Sequence, residues 1–350
     1  MTVVAALQMM DLTAGEKKLP DDLIYVEESD NGFARKRKKD EFVYFDADGR
    51  ILKCENELAR VEALGLPPAW RDVWICPQAN GHLQATGVDD AGRKQYRYHD
   101  DWRAFREQTK FNRLIEFGAA LPRIRRRVRR TFREVSDPDK ELVISALVRL
   151  LDNAPLRIGS STGEGDVVGA CTLKQRNVKM TEDALRLDYT AKGGKRVRRQ
   201  ISDRWLLQIL EKIDELPGKE LFRYIGSDGD IYGVRSEHVN DWLQDVADSE
   251  HITAKTFRTW AGTLAAFELC VSDEKPTIKA MSEEAASVLR NTPTIARSSY
   301  IHPAVISLRE ASFDKRQAAG KTAQSAPDLT KMETAMLGYL AEAQGLELAQ

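Results

Sequence analysis

Tyr300 ends the stretch Asn291-Thr292-Pro293-Thr294-Ile295-Ala296-Arg297-Ser298-Ser299-Tyr300. A tyrosine phenol can act at phosphorus in both directions. With an ordinary pKa of about 10 it is a workable nucleophile and a good enough leaving group to be expelled again. Such an attack gathers negative charge on the nonbridging oxygens, which calls for fixed donors of permanent charge. Arginine suits this, because its planar fork makes two parallel hydrogen bonds and does not deprotonate. A departing alkoxide needs an acid, a part a lysine can take. Composition does not say which of the 53 lysines and arginines would serve, and a tyrosine nine residues after an amide is, in isolation, far more often a helix-packing residue than a nucleophile.

The elements that would have to position these groups fall into two kinds. Residues 21–98 read as short strands separated by turns. Phe42-Val43-Tyr44-Phe45 precedes Asp46-Ala47-Asp48-Gly49, Val73-Trp74-Ile75-Cys76 precedes a polar turn, and residues 81–87 and 94–98 flank a hairpin connection at 88–92. From Trp102 the period becomes helical. Phe105, Phe111, Leu114, Ile115 and Phe117, then Leu121, Ile124 and Val128, form apolar stripes, and residues 140–151 give another helix. One hairpin interrupts: Leu185, Leu187 and Tyr189 alternate, Gly193-Gly194 turns, and residues 197–201 return. Residues 317–327 read as a linker before a last amphipathic helix with Leu329, Met332, Met336, Leu337 and Leu340. The expected fold is α+β: a small β-rich N-terminal domain (1–105), a larger mainly helical domain with a β-hairpin (106–316), and a linker with a C-terminal helix (317–350).

Lysine and arginine (53) nearly balance aspartate and glutamate (54), so net charge alone predicts no polyanionic partner. Its distribution does. Between Ala91 and Arg133 fourteen basic residues face four acidic ones, as a phosphate-tracking surface would require, although solvated helix faces explain such a run equally well. Arg123 to Arg130 is its densest part. Cys54, Cys76, Cys171 and Cys270 are too widely spaced for a C-x-x-C knuckle and read as free thiols in a reducing compartment, with no metal site. No stretch reaches 18 apolar residues, and residues 1–10 lack a basic leader. The expectation is a cytoplasmic, nucleoid-associated protein without a membrane partner.

The segments Leu66-Pro67-Pro68-Ala69-Trp70, Val73-Trp74-Ile75-Cys76-Pro77, Gly81-His82-Leu83-Gln84-Ala85-Thr86-Gly87 and Gly92-Arg93-Lys94-Gln95-Tyr96-Arg97-Tyr98-His99 resemble the N-terminal domain of bacterial and poxvirus-like type IB DNA topoisomerases. Five further elements resemble that family's catalytic set, in the same order, so that the resemblance covers roughly residues 20–310. It implies that Tyr300 attacks the scissile phosphate and retains the 3′ phosphate. Arg157, in Leu156-Arg157-Ile158-Gly159, and Arg258, in Lys255-Thr256-Phe257-Arg258-Thr259-Trp260, match the family's two catalytic arginines. Lys192 matches its hairpin general acid, with Lys195 near enough to compete for that role. Asn291 stands where poxvirus enzymes carry histidine and some bacterial members asparagine. An amide is no proton shuttle near neutral pH, which assigns Asn291 to electrostatic stabilisation. Lys255 is expected to contact the phosphate backbone or assist proton transfer. Arg93, Lys94, Gln95, Tyr96 and Tyr98 match residues that approach the duplex, with one of the two tyrosines expected to pack its own domain.

The resemblance further implies a monomer that clamps double-stranded DNA and relaxes supercoils of both signs, with neither ATP nor a required metal or cofactor. Two other readings compete. A tyrosine recombinase or integrase uses the same chemistry on a related catalytic fold, but usually has a helical N-terminal domain and a histidine where Lys255 stands. A noncatalytic DNA-binding protein would leave five filled catalytic positions to accident.

Overall fold

A computed structural model describes residues 4, 7, 20, 22–38, 41–159, 168–191, 194–321 and 326–346, with only the backbone described at residue 108. Lys192 and Gly193 lie outside the described residues. The chain divides into two compact units, Thr13–Phe111, and Met1–Leu12 with Asn112–Gln350.

The smaller unit is built on one antiparallel sheet. Strands β1 (Phe33–Lys38), β2 (Glu41–Phe45), β3 (Arg71–Ile75), β4 (Leu83–Val88) and β5 (Lys94–Tyr98) lie in the order β2-β1-β3-β4-β5. Helix α1 (Glu55–Ala63) contributes Val61 to a core with Leu52, Leu66, Val73, Ile75 and Ala85. The Pro67-Pro68 loop is tied to the sheet from within. Arg35, buried on β1, donates to the carbonyls of Leu66 (2.9 Å), Pro67 (2.8 Å) and Trp70 (3.1 Å), since a buried guanidinium needs acceptors for its N–H groups.

The larger unit is mainly helical. Helix α2 (Asp100–Glu134), which begins in the smaller unit's sequence, is a single element where two apolar stripes are legible in the sequence. Helix α3 (Lys140–Asn153) starts on an aspartate cap, the Asp139 carboxylate accepting from Leu142 N at 2.8 Å. Nine of its fourteen residues are buried, so it is apolar around most of its circumference and sits inside the core. Each buried leucine there contributes roughly 1.5–3 kcal/mol of transfer free energy. The hairpin is present as β7 (Leu185–Ala191) and β8 (Lys195–Ile201), paired from Leu185↔Ile201 to Ala191↔Lys195 and joined by β6 (Val178–Met180). Helix α4 (Arg204–Asp214), the short pair β9 (Arg223–Ile225) and β10 (Ile231–Gly233), and helix α5 (Ser236–Ala247) follow. Then come α6 (Ala254–Ser272), α7 (Ile278–Leu289), α8 (Pro293–Tyr300), α9 (Pro303–Leu308), α10 (Phe313–Ala319) and α11 (Lys331–Ala343).

Residues 317–319, expected in a linker, are the end of α10. Helix α11 buries Met336, Leu337 and Leu340 in the same core as α3 and α6. Its Glu333 is 4% exposed and accepts from Arg125 on α2 (2.9 and 2.8 Å) and from the Trp260 indole on α6 (3.2 Å). Arg125 also grips Asp152 on α3 with two bonds of 2.9 and 2.8 Å. Burial alone would raise the Glu333 carboxyl, but the Arg125 guanidinium overrides it and holds the group below its ordinary value.

Candidate active site

Helix α6 brings the second of the expected arginines to the tyrosine. Arg258 is 4% exposed and donates to the carbonyls of Pro155 and of Leu289, the latter at 3.2 Å. Its guanidinium carbon lies 5.0 Å from the centre of the Tyr300 ring. Burial pulls the Arg258 pKa below its ordinary value, the Tyr300 phenol opposes this through charge and a hydrogen bond, and Arg157 adds to the lowering. Tyr300 is the last residue of α8, whose start is fixed by the Thr292 hydroxyl accepting from Ile295 N and by Pro293 in the first turn. Two residues of α6 seat it. A Cβ on Gly262 would lie 2.9 Å from the Tyr300 carbonyl oxygen and 2.9 Å from Leu289 Cδ1, so only glycine permits this approach. The Thr263 hydroxyl donates to that carbonyl (3.1 Å) and accepts from His302 N (3.1 Å).

Arg157 sits in the loop after α3. Its carbonyl accepts from Ala170 N and that of Ile158 from Cys171 N, both at 2.8 Å, and Gly159 takes φ +80°, a region open to glycine at little cost. Tyr189, on the inward face of β7, is 5% exposed. Burial pushes its phenol up, while Arg258, Arg199 and Arg157 act in the opposite direction. Three guanidiniums thus act electrostatically on one buried phenol, and one of them, that of Arg258, faces the Tyr300 ring. Asn291, just past α7, accepts from Thr292 N with its side-chain oxygen (3.1 Å), and its buried amide nitrogen has no hydrogen-bond partner among the described residues. The buried Nε atoms of Arg258 and Arg199 likewise have none.

The side-chain hydrogen bonds of Arg199 and Arg258 go to backbone carbonyls. Among the described residues, no carboxylate is in ion-pair contact with Arg157, Arg199 or Arg258. Backbone carbonyls orient a guanidinium without cancelling its charge, so the group keeps the field that an anionic phosphoryl oxygen would meet. The Arg123–Arg130 run, expected to track phosphates, differs in being engaged with acids and a carbonyl. Arg125 is bound to Asp152 and Glu333, Arg126 and Arg129 to Asp328, Arg127 to Glu141, and Arg130 to Glu134, and Arg123 donates to the Ala247 carbonyl. Most of that charge is paired within the fold.

The remaining expected residues divide between the units. Lys255 is exposed in the first turn of α6, three residues before Arg258. Lys195 lines a cavity of about 430 Å³ with Arg196, Arg290, Asn291 and Pro293. In the smaller unit Arg93 bonds to Asp89 (2.7 Å), and Gln95 to the same carboxylate (2.8 Å). Arg93 holds that carboxyl down at about 2. Lys94 is paired with Glu28. Tyr96 and Tyr98 stack with centres 6.0 Å apart; Tyr98 packs on Val26, Cys76 and Leu83, while Tyr96 is 49% exposed. All four cysteines are free thiols, and burial pushes Cys171 up to about 12. Among the described residues no helix is long and apolar enough to cross a membrane.

Sequence reasoning missed Arg199 and Tyr189. The signal was available, since positions 197, 199 and 201 share the inward face of β8, and a cation on such a face needs a reason.

A family model described as the bacterial DNA topoisomerase IB N-terminal domain matches residues 41–89, and one described as the eukaryotic DNA topoisomerase I catalytic core matches residues 99–331. The chain is 28% identical over 289 residues to the DNA topoisomerase 1B of Acanthamoeba polyphaga mimivirus, covering 77% of this chain and 85% of that one.

Proposed function

Because the chain belongs to the type IB DNA topoisomerases, we propose that it relaxes positive and negative supercoils by transient cleavage of one strand through Tyr300. The Tyr300 oxygen attacks the phosphorus of a DNA phosphodiester, the bond from phosphorus to the 5′ oxygen breaks, and that oxygen leaves as a 5′ hydroxyl after taking a proton. The 3′ phosphate stays on Tyr300. Reversal restores the original bond, and because one diester has been exchanged for another, the cycle needs no ATP. Nor does it call for a required metal.

The observation that carries this reading is the contact of Tyr300 with Arg258, a buried guanidinium held by carbonyls rather than carboxylates. Arg157, Arg258 and Asn291 are the donors that meet the charge growing on the nonbridging oxygens. Lys192 is the general acid by its place after Tyr189-Thr190-Ala191, and Lys195 is the alternative. Lys255 meets a backbone phosphate. Arg93, Lys94, Gln95, Tyr96 and Tyr98 approach the duplex from the smaller unit, and a monomer closes on DNA as a clamp, acting at the nucleoid. Arg93 and Lys94 exchange Asp89 and Glu28 for phosphate when they do so.

The test is incubation of the full chain with supercoiled plasmid in EDTA without ATP. Wild type is expected to relax both signs and to leave a 3′-phosphotyrosyl adduct on denaturation, and Tyr300→Phe to do neither. Relaxation by Tyr300→Phe at the wild-type rate would overturn the mechanism, and a requirement for paired cognate sites with exchanged products would mark a recombinase instead.

A further inference from the structure

The end of α7 leaves four carbonyls to account for, as any helix end does. Two are taken by its own chain. Arg290 turns left-handed at φ 49°, its N–H donates to the Ser287 carbonyl at 3.4 Å, and Asn291 N donates to the Ala286 carbonyl at 3.0 Å, the pairing of a Schellman turn. The carbonyls of Val288 and Leu289 remain. Arg258 takes Leu289 and Arg199 takes Val288.

Arg199 is costly for a residue with that task alone. It is half-buried on the inward face of β8, and among the described residues no carboxylate is in contact with it and its buried Nε has no partner. Burial, then Arg290 and Arg258, pull its pKa down, with Tyr189 opposing. The turn it holds is itself strained, since a β-carbon in the left-handed region is disfavoured and persists where surrounding contacts over-determine it. The first residue after that turn is Asn291, whose buried amide nitrogen also has no acceptor among the described residues.

We propose that Arg199 is a positioning residue for the cleavage reaction: by holding the Val288 carbonyl it fixes the strained turn at Arg290 and so aims the Asn291 amide at the phosphoryl group. A guanidinium also suits this place because the negative end of the α7 dipole favours a cation. The inference rests on the reading of Asn291 and Tyr300 as parts of one active site, and it adds a residue that acts through another rather than on the DNA.

The experiment is single-turnover cleavage of a duplex by the full chain, together with the DNA dissociation constant, for Arg199→Met, Arg199→Lys, Asn291→Ala and the Arg199→Met/Asn291→Ala double variant. Methionine keeps the apolar stem without the donor, and lysine keeps a donor for the carbonyl. Arg199→Met is expected to slow cleavage roughly 10- to 100-fold, the scale of an ångström-sized misplacement, while the dissociation constant stays within about twofold of wild type. Arg199→Lys is expected to recover part of the rate. In the Asn291→Ala background, Arg199→Met should add less than about twofold, because residues that act through each other are not additive. Wild-type cleavage by Arg199→Met, losses that multiply in the double variant, or a dissociation constant that rises as much as the rate falls would each overturn the proposal. Adduct formation by Tyr300→Phe would instead remove the reading on which it rests.

Discussion

Arg258 and His302 show how much single side chains near Tyr300 depend on burial. Arg258→Ala removes the guanidinium on the Tyr300 ring and should lower the cleavage rate by ~10²–10³, as loss of a preorganised donor does, with DNA affinity nearly retained. Lysine at 258 has a single donor centre for two carbonyls and should restore little. A gel-based cleavage assay with a parallel binding titration checks both. His302 accepts from Ala304 N through Nδ1 (3.1 Å), and burial pulls its imidazole down to about 4. The folded state therefore holds it neutral where the unfolded chain, titrating near 6.5, binds a proton. Its contribution, on the order of 3 kcal/mol, is complete above about pH 6.5 and is lost as pH falls toward 4. Urea midpoints should drop over that window in wild type, and much less in His302→Asn, which keeps a capping acceptor. At this scale the sequence was legible where a motif surrounded the residue, as at Arg258 in Lys255-Thr256-Phe257-Arg258. At Arg199 the inward register of β8 was a signal that something holds the cation, but which carbonyl holds it was not legible, because an acceptor on another element leaves no mark in local spacing.

At the scale of elements, the approach of α6 to α8 rests on a missing side chain. Gly262→Ala places a methyl 2.9 Å from the Tyr300 carbonyl oxygen and Leu289 Cδ1. Overpacking of this kind costs about 1–3 kcal/mol, and because the backbone displaced is that of Tyr300, the cleavage rate should fall along with the melting temperature. A wild-type rate in the alanine variant would mean that α8 yields without moving its tyrosine. Helix α11 is joined to α2, α3 and α6 through one buried carboxylate and Arg125. Glu333→Ala leaves Arg125 with Asp152 alone and the buried Trp260 indole without its acceptor, and should destabilise the chain by roughly 1–3 kcal/mol, read as a shift of the denaturation midpoint. The hairpin β7–β8 and strand β5 could be read from alternation, since period two with glycine between is a local signal. The union of the two apolar stripes into α2 could not, because Pro122 inside it argues for a break. The burial of α11 was equally hidden, as an amphipathic stripe does not say what covers it.

For the whole molecule, charge counts mislead until partners are known. Fourteen basic residues between Ala91 and Arg133 suggested one polyanion surface, yet the run at 123–130 is engaged within its own unit, and on the proposed function it is Arg93 and Lys94, paired with the part-buried Asp89 and Glu28, that exchange acid for phosphate. Substituting Arg93 or Lys94 by glutamine should therefore reduce the salt dependence of DNA binding by about one unit of slope each. Arg127→Gln and Arg130→Gln should leave that slope unchanged; equal effects from both pairs would restore the original surface. The Thr263 hydroxyl then takes on a mechanical meaning. It bonds the backbone at the nucleophile and just after it, at the Tyr300 carbonyl and the His302 N–H. On the proposed mechanism a cut strand would hang from Tyr300 while the duplex spins, and the torque on that tether would pass into α6, the rod that also carries Arg258. Thr263→Val should let the anchor twist, so that the number of supercoils released per cleavage event, followed on single stretched DNA molecules, changes even where the chemical rate is kept.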